Sequence, residues 1–405
     1  MKFERVNLIS LCDKIGDGLH GTPIYDDKSD IFFINGNNLK NSVIKINKNT
    51  KKVSSSEVEK NFIELNNKTL LLSINGTLGE MAFYKNEKII LGKSVAYLNF
   101  KNDLNKFFYY YFQIEEIQNH FLNIATGSTI KNLGLGELET LKVLVPNKEI
   151  KEDTIKVLSI LDKKIEVNNN IIDKLENLAK LIFDHWFIQL EFPNKNKKPF
   201  SSSKGNKVFN KKLSLDIPFG WEVKSLSKIA ECIMGQSPTG DTYNKIEKGL
   251  PLLNGPADYK NGNLFSRIYT TNPLKKCKKN DLVMCIRATI GNLVYAENEF
   301  CLGRGMAAVR PNDKKYSEYL YFILQNEINK FKLYAGGSIF KAIVKDDVRD
   351  VNCLIPDDKI IQQFHELTNP IFKKIRTKKI ETLKITNIKE WLLPMLTTGQ
   401  AKLIN

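Results

Sequence analysis

The sequence is written twice, and that duplication constrains the fold more than any other feature. "NGTLGEMAFY" (75–84) aligns with "RATIGNLVYA" (287–296), placing Thr77 on Thr289 and Gly79 on Gly291. Gly92 in "LGKSVA" then meets Gly303 in "LGRGMA", and "ATGSTIKNL" (125–133) meets "AGGSIFKAI" (335–343). "LVP", ending at Pro146, matches "LIP", ending at Pro356. Across this series the offset drifts only from 212 to 210 residues. Upstream, "HGTP" (20–23) pairs with "GQSP" (235–238) and "FINGNN" (33–38) with "LLNGPA" (252–257). A period this long exceeds the roughly 20–45 residues of a solenoid repeat and suits two copies of a domain.

Within each copy, short apolar runs such as "KTLLLSING", "EKIILG", "AYLNF" and "LKVLVP" predict strands that end at Gly, Asn or Pro. "LNKFFYYYFQIEEIQNHFLNIA" (104–125) and its counterpart "YSEYLYFILQNEINKFKLYA" (316–335) predict helices whose aromatic face belongs to the core. A helical segment follows each copy. In the first, Leu158, Leu161, Ile165, Asn168, Ile172, Leu175, Ala179, Ile182 and Trp186 keep 3-4 spacing, the seam one helix uses to pack along another. Asn168 interrupts that seam, either fixing register at a cost in stability or lying exposed near a bend. The second segment opens on Asn369 and Pro370, a good N-cap and first-turn pair, and carries Ile371, Ile375, Ile385 and Leu392 on the equivalent stripe. Lys378, Thr382 and Lys389 weaken it. Two such helices from a duplicated chain are expected to pack antiparallel, with a globular unit at each end.

The fold class read from this pattern is α+β, with two duplicated domains joined by a pair of long antiparallel, coiled-coil-like helices in pseudo-twofold arrangement. The expected domains are residues 1–150, a central helical spacer 151–190, a flexible lysine-rich linker 191–216, a second domain 217–357 and a C-terminal helical spacer 358–405.

The net charge of +16 favours a polyanionic partner, nucleic acid first. Residues 192–215 hold seven lysines and no acid, and residues 373–389 hold seven basic residues against Glu381 alone. The first run reads as a solvated linker, and the second as a helix face turned either to solvent or to phosphate. The N-terminus lacks the apolar core of a signal peptide and no apolar run nears the ~20 residues of a membrane span. A cytoplasmic location with no membrane partner is therefore the expectation. Six scattered cysteines form no C-x-x-C pair and no metal-ligand spacing with the four histidines.

The catalytic readings fail on the residues. Gly16, Gly18 and Gly21 spell G-x-G-x-x-G, but a dinucleotide cradle must open a helix, and Pro23 with the polar cluster "TPIYDDKSD" opposes one. The triplet is also missing from the second copy. A methyltransferase acting on a flipped base needs a string like N-P-P-F, and "TNPL" and "TNPI" lack its second proline and aromatic. "PDDK" (356–359) packs its acids too closely for a nuclease site and falls at a strand-to-helix junction, where Asp357 and Asp358 favour the helix start. No P-loop, G-x-S-x-G or H-E-x-x-H occurs.

The ordered motifs resemble the DNA-specificity subunit of type I restriction–modification systems over nearly the whole chain. The resemblance rests on "IPFGWEVKSLSKIA" (217–230), "HGTP" and "GQSP", "NGTLGE" and "RATIGN", and "TGSTIKNL" and "GGSIFKAI". "LVP" or "LIP" then leads into "ILDKKIEVNNNIIDKLENLAKLIFDHWF". The bare start "MKFERVNLISLCDKI" departs from it, lacking the P-x-G-W entry of the second copy. The resemblance implies two target-recognition domains, each reading one half of a split site in double-stranded DNA. It further implies a non-catalytic chain that positions two methyltransferase (modification) subunits and, for cleavage, motor-nuclease (restriction) subunits. No cofactor is expected on this chain; S-adenosylmethionine belongs to the methyltransferase partner. The alternative is a stand-alone nucleic-acid-binding protein that self-associates through its helices.

Candidate DNA contacts are polar and basic residues in glycine-punctuated loops, where backbone approaches phosphate and side chains reach base edges. They are Thr22, Asn35, Lys93, Ser128, Thr129 and Lys131 in the first copy. In the second they are Gln236, Ser237, Asn254, Arg287, Arg304, Ser338 and Lys341. The recurring pairs Lys93/Arg304 and Lys131/Lys341 suit phosphate contacts, because two different half-sites need different base readers.

Overall fold

Five strand pairings recur with the same order in both copies. A computed structural model describes residues 4–260, 262–287, 291–334 and 343–401. The chain divides into two units, Met1–Ile165 with Ile385–Asn405, and Glu166–Lys384. In the first, strands Cys12–Asp17, Val95–Phe100, Thr69–Ser73 and Met81–Phe83 lie in that order across an antiparallel sheet. The second repeats it with Ala230–Met234, Met306–Pro311, Leu282–Cys285 and Gly291–Tyr295. A parallel pair accompanies each sheet, Ile31–Ile34 with Ile89–Leu91 and Leu250–Leu253 with Phe300–Leu302. An antiparallel pair closes each unit, Glu4–Asn7 on Lys142–Val145 and Glu222–Ser225 on Asn352–Ile355. Glu4–Asn7 is thus the counterpart of the strand that the P-x-G-W entry leads into in the second copy.

The central strands are buried on both faces, which is why they read as continuous apolar runs rather than alternating ones. Every residue of Thr69–Ser73 and of Val95–Phe100 is buried. Leu70, Leu72, Ala96 and Leu98 face the aromatic helices. Leu71, Val95 and Tyr97 face the smaller strands. That alternation is the period-2 geometry of a strand hidden between two layers. The aromatic segments are core, as the spacing predicts: Phe107, Phe108, Phe112 and Phe121 are all buried. The first segment is nevertheless two helices, Asn105–Tyr111 and Glu115–Ile124, with Ile114 in an extended conformation between them. Its counterpart Ser317–Tyr334 is continuous.

The helical segments form two long helices, Lys148–Phe183 and Asp358–Thr397. Each opens on a residue that follows the strand-ending proline. Asn147 Oδ1 accepts the N–H of Ile150 at 2.9 Å, and Asp357 Oδ1 accepts that of Lys359 at 2.8 Å. The second helix does not begin at Asn369 and Pro370. It runs through both, because Phe364, Thr368 and Phe372 are buried around that proline and Asn369 donates to the buried Glu318 at 2.9 Å. Core packing there outweighs the N–H that proline lacks.

Within each unit the two helices pair antiparallel along the expected seam. In the first, Thr154 donates to the Leu396 carbonyl at 3.1 Å, while Lys389 reaches Asp162 at 2.6 Å. In the second, Lys379 pairs with Glu176 at 2.7 Å and Phe364 meets Phe183 and Trp186. Lys389, which weakens the stripe on paper, is a connector. It donates to Asp162 and Gln113, lies 5.6 Å from the Tyr110 ring centre, and Tyr110 donates to the same Asp162. The repeat places Phe322 and Phe372 where Tyr110 and Asp162 stand. There the joint is aromatic, with Phe322 stacked 4.8 Å from Phe183.

Residues 191–216, expected to be a flexible tether, fold against the second unit. Phe192 is buried and stacks on Phe200 at 4.6 Å and Trp221 at 4.7 Å. Glu191 accepts both the hydroxyl and the N–H of Ser202, which hold its carboxyl below the usual range. Lys207–Asn210 then pairs with Leu215–Pro218 as a hairpin. A lysine-rich composition describes the solvent side of this segment; its aromatics anchor the other.

Asn168 lies on the seam, fully buried, and neither its amide nitrogen nor its amide oxygen has a hydrogen-bond partner. A buried unsatisfied amide costs about 1–3 kcal/mol. Asn168→Leu is therefore expected to raise the urea midpoint, corresponding to about 1–3 kcal/mol of added stability. A lowered midpoint contradicts an unsatisfied amide at this position.

Candidate nucleic-acid interface

Among the described residues, the loops that carry candidate residues meet at one end of each sheet, held there by backbone hydrogen bonds that recur between copies. Leu19 N–H donates to Leu91 at 2.7 Å, as Gln236 does to Leu302 at 2.8 Å. Gly92 donates to Ile34 at 2.8 Å, as Gly303 does to Leu253 at 2.7 Å. Ile74 donates to Ser94 and Leu133 to Ile74, as Ile286 does to Gly305 and Ile343 to Ile286. Loops distant in sequence are thereby tied into one surface in each unit.

These bonds correct the alignment at the opening glycines. A Cβ on Gly18 would collide with the Leu91 carbonyl oxygen, and one on Gly235 with that of Gly303. Gly18, not the HGTP turn, is therefore the counterpart of Gly235, and two extra residues in the first copy precede the shared proline. The glycine triplet has three separate reasons. Gly16 lies opposite Tyr97 and leaves room for its ring, Gly18 permits the approach to Leu91, and Gly21 sits in an open turn at φ 155°. The next helical turn is Gly36–Asn38, well beyond the glycines, so no helix opens on them.

The candidate residues divide into two groups. Some hold the loops. Asn35 Oδ1 accepts the Ser94 hydroxyl at 3.1 Å and faces Gly92. Asn254 Oδ1 likewise faces Gly303, and the Asn254 N–H donates to Asp258 at 2.5 Å. Ser237 Oγ accepts the Arg304 N–H at 3.2 Å. The others turn outward: Thr22, Lys93, Ser128, Thr129, Lys131, Gln236, Arg287 and Arg304 are exposed. Lys93 uses its N–H on the Leu19 carbonyl at 3.0 Å, which leaves the ammonium to solvent. Lys131 gives its carbonyl to Gly76 in a loop closed by the Thr126–Asn132 pair. Ser338 and Lys341 lie outside the described residues.

Sequence reasoning missed Ser94, whose hydroxyl accepts the Gly36 N–H at 2.9 Å and joins two loops. It also missed Asn75, which sits where Arg287 does and donates to Asn132 at 3.4 Å. Both lie inside the glycine strings, Asn75 opening NGTLGE and Ser94 in LGKSVA, but spacing gave no signal for the bonds they make across the fold. Among the described residues no group of three or more His, Cys, Asp or Glu is placed to hold a metal ion. Burial pushes the thiols of Cys12 and Cys277 up to about 12, far from a nucleophile's range at neutral pH. What the loops offer is positive charge, hydroxyls and amides on a rigid base.

Such a molecule is a duplicated α+β scaffold on long helices, displaying basic and polar loops at corresponding places. The model of the type I restriction modification DNA specificity domain matches residues 6–177 and 218–386, and the chain belongs to that family. It is 27% identical over 337 residues to a putative type I restriction enzyme MjaX specificity subunit of Methanocaldococcus jannaschii, covering 80% of this chain and 76% of the relative. It is 23% identical over 352 residues to the type I restriction enzyme HindI specificity subunit of Haemophilus influenzae, covering 70% and 75%. The crystal structure of a type I restriction-modification S subunit from M. genitalium superposes with a TM-score of 0.61 at 17% identity, covering 98% of this chain and 96% of that one.

Gly18 and Gly235 give a direct test of loop anchoring. Gly18→Ala and Gly235→Ala are each expected to cost about 1–3 kcal/mol by forcing backbone apart. Gly136→Ala, with nothing within 4 Å of the added carbon in helix Leu135–Thr140, is expected to leave stability unchanged or slightly raised. Equal urea midpoints for all three variants contradict this packing.

Proposed function

We propose that this chain is the DNA-binding specificity subunit of a type I restriction–modification complex, with each unit reading one half of a bipartite target. The observation that carries this is the recurrence, in both units, of one loop cluster presenting exposed basic and polar side chains. Lys93 and Arg304 take phosphates, as do Lys131 and Lys341, because sequence-independent contacts can be the same in both halves. Thr22, Thr129, Gln236 and Arg287 differ in type between copies and reach base edges, joined by the matched pair Ser128 and Ser338. Asn35, Ser237 and Asn254 hold the loops from which they do so. Arginine is suited to paired acceptors on guanine in the major groove, which makes Arg287 the strongest single reader.

The long helices set the unspecified distance between the half-sequences and dock two methyltransferase subunits, with motor-nuclease subunits added for cleavage. The chain itself is non-catalytic, S-adenosylmethionine is bound by the methyltransferase, and the complex works in the cytoplasm. Family membership supports DNA recognition, and the paired seams support a stiff spacer.

Co-expression with an N-P-P-F methyltransferase, followed by co-purification and sequencing of modified adenines, tests this reading. A split motif is expected. Arg287→Ala is expected to relax one half of it by about 1–3 kcal/mol of discrimination, leaving the other half intact. Lys93→Ala with Arg304→Ala is expected to weaken binding to all sequences alike and to reduce the salt slope by about 2. Methylation by the purified chain alone, or a continuous motif, contradicts the reading.

A further inference from the structure

The second unit carries another basic surface, at the end of its sheet away from the recognition loops. Strand Ala230–Met234 ends in the loop at Gly235 and begins next to Ile229; strand Met306–Pro311 leaves the loop at Gly303 and ends at Asn312. Around Ile229 and Asn312 lies a groove of about 640 Å³ lined by Lys212, Lys224 and Lys228, with Ser225 and Asn352 between them. Asp313, the acid in its wall, pairs with Lys315 at 3.2 Å, and Lys224 pairs with Glu222. Lys212 comes from the hairpin of residues 207–218, whose segment 192–215 holds seven lysines and no acid. All seven are exposed, as is Lys228. Among the described residues none of these eight forms an ion pair, and Lys207 alone has a side-chain partner, the Ser201 hydroxyl at 2.6 Å.

We propose that this groove and hairpin grip the phosphodiester backbone of duplex DNA outside the bases read by the loops, without regard to sequence. The inference rests on the proposed function, and adds a second DNA contact to it. Lys212 and Lys228 line one groove with no acid paired to either, and Lys211 adjoins Lys212 in the turn between the hairpin strands, so positive charge gathers there that an anion would complete. Lysines are flexible point charges that suit phosphate better than a base edge. Duplex DNA carries one negative charge per about 1.7 Å of axis, so several can be met at once, with release of counterions. The five-residue strands separate the groove from the loops by roughly 15–20 Å, about half a turn of duplex. The hairpin's anchor, Phe192 between Phe200 and Trp221, fixes the lysines against the unit instead of leaving them on a loose tether.

The test uses the purified full chain and a 40-base-pair duplex of random sequence, with binding followed by fluorescence anisotropy from 50 to 200 mM salt. The triple variant Lys211→Gln, Lys212→Gln, Lys228→Gln changes only exposed side chains. Its plot of log affinity against log salt is expected to be shallower by roughly 2–3. Its affinity at 0.1 M salt is expected to fall at least about 10-fold, with the map of methylated sites unchanged in position. A wild-type slope in the triple variant overturns the proposal while leaving the proposed function standing. A wild-type slope combined with lost methyltransferase co-purification makes the surface a protein dock and overturns it equally. A wild-type chain that binds no duplex removes the proposed function itself.

Discussion

The joint between each sheet domain and the long helices is the contact on which the rest of the molecule depends. The recognition loops are held by backbone bonds to their own sheet, and the sheet is held to the helices by the aromatic helix lying between them. In the first unit that helix is pinned by Tyr110 and Lys389 converging on Asp162, half sunk in the core. Burial and the neighbouring Asp162 both keep the Tyr110 hydroxyl protonated at any physiological pH, so it remains a donor to that carboxylate. In the second unit Phe322, Phe372 and Phe183 fill the same place with rings. The two solutions differ in kind. The polar joint fixes direction through hydrogen bonds, at the cost of desolvating a carboxylate and an ammonium group. The aromatic joint relies on buried area and edge-to-face geometry.

In the proposed function, duplication lets one chain serve two different readings. What recurs is structural: the glycines that let strands approach, the parallel pair, the closing strand pair and the capped start of each long helix. What differs includes side chains on the loops, where the alignment sets Asn75 in the place of Arg287 and Leu19 in the place of Gln236. A scaffold that is strict in its backbone bonds and permissive in its outward side chains can change its recognition without changing its fold. The basic groove of the second unit joins the two, since its walls belong to the recurring closing strand pair while Lys212 comes from a segment present once.

Much of this was legible in the sequence because glycine and proline mark places where backbone geometry allows few substitutes. Gly92 and Gly303, Pro146 and Pro356, and the seam from Leu158 to Trp186 carried the duplication, the strands and the helix pair. Reading failed where tertiary packing overrode a local signal. Pro370 looks like a helix start, yet the helix continues because Phe364 and Phe372 need the core on both sides of it. The aromatic run 104–125 looks like one helix, yet it breaks at Ile114 without a Gly or Pro to announce it. The lysines of 192–215 look like a tether, yet Phe192, Phe200 and Trp221, spread over thirty positions, stack together. At the loops, glycine spacing marked the candidate residues, but not Ser94 and Asn75, whose bonds depend on hydroxyl and amide geometry across the fold.

The claim that the paired helices act as a ruler between two half-site readers is tested most directly by lengthening them. Inserting one helical turn of four residues into each long helix, within the seam, adds about 6 Å. Methylated adenines are then mapped in cells carrying the lengthened chain and its methyltransferase. The expected result is an unspecified spacer that grows while both half-sequences stay the same. A spacer of unchanged length, or altered half-sequences, contradicts it.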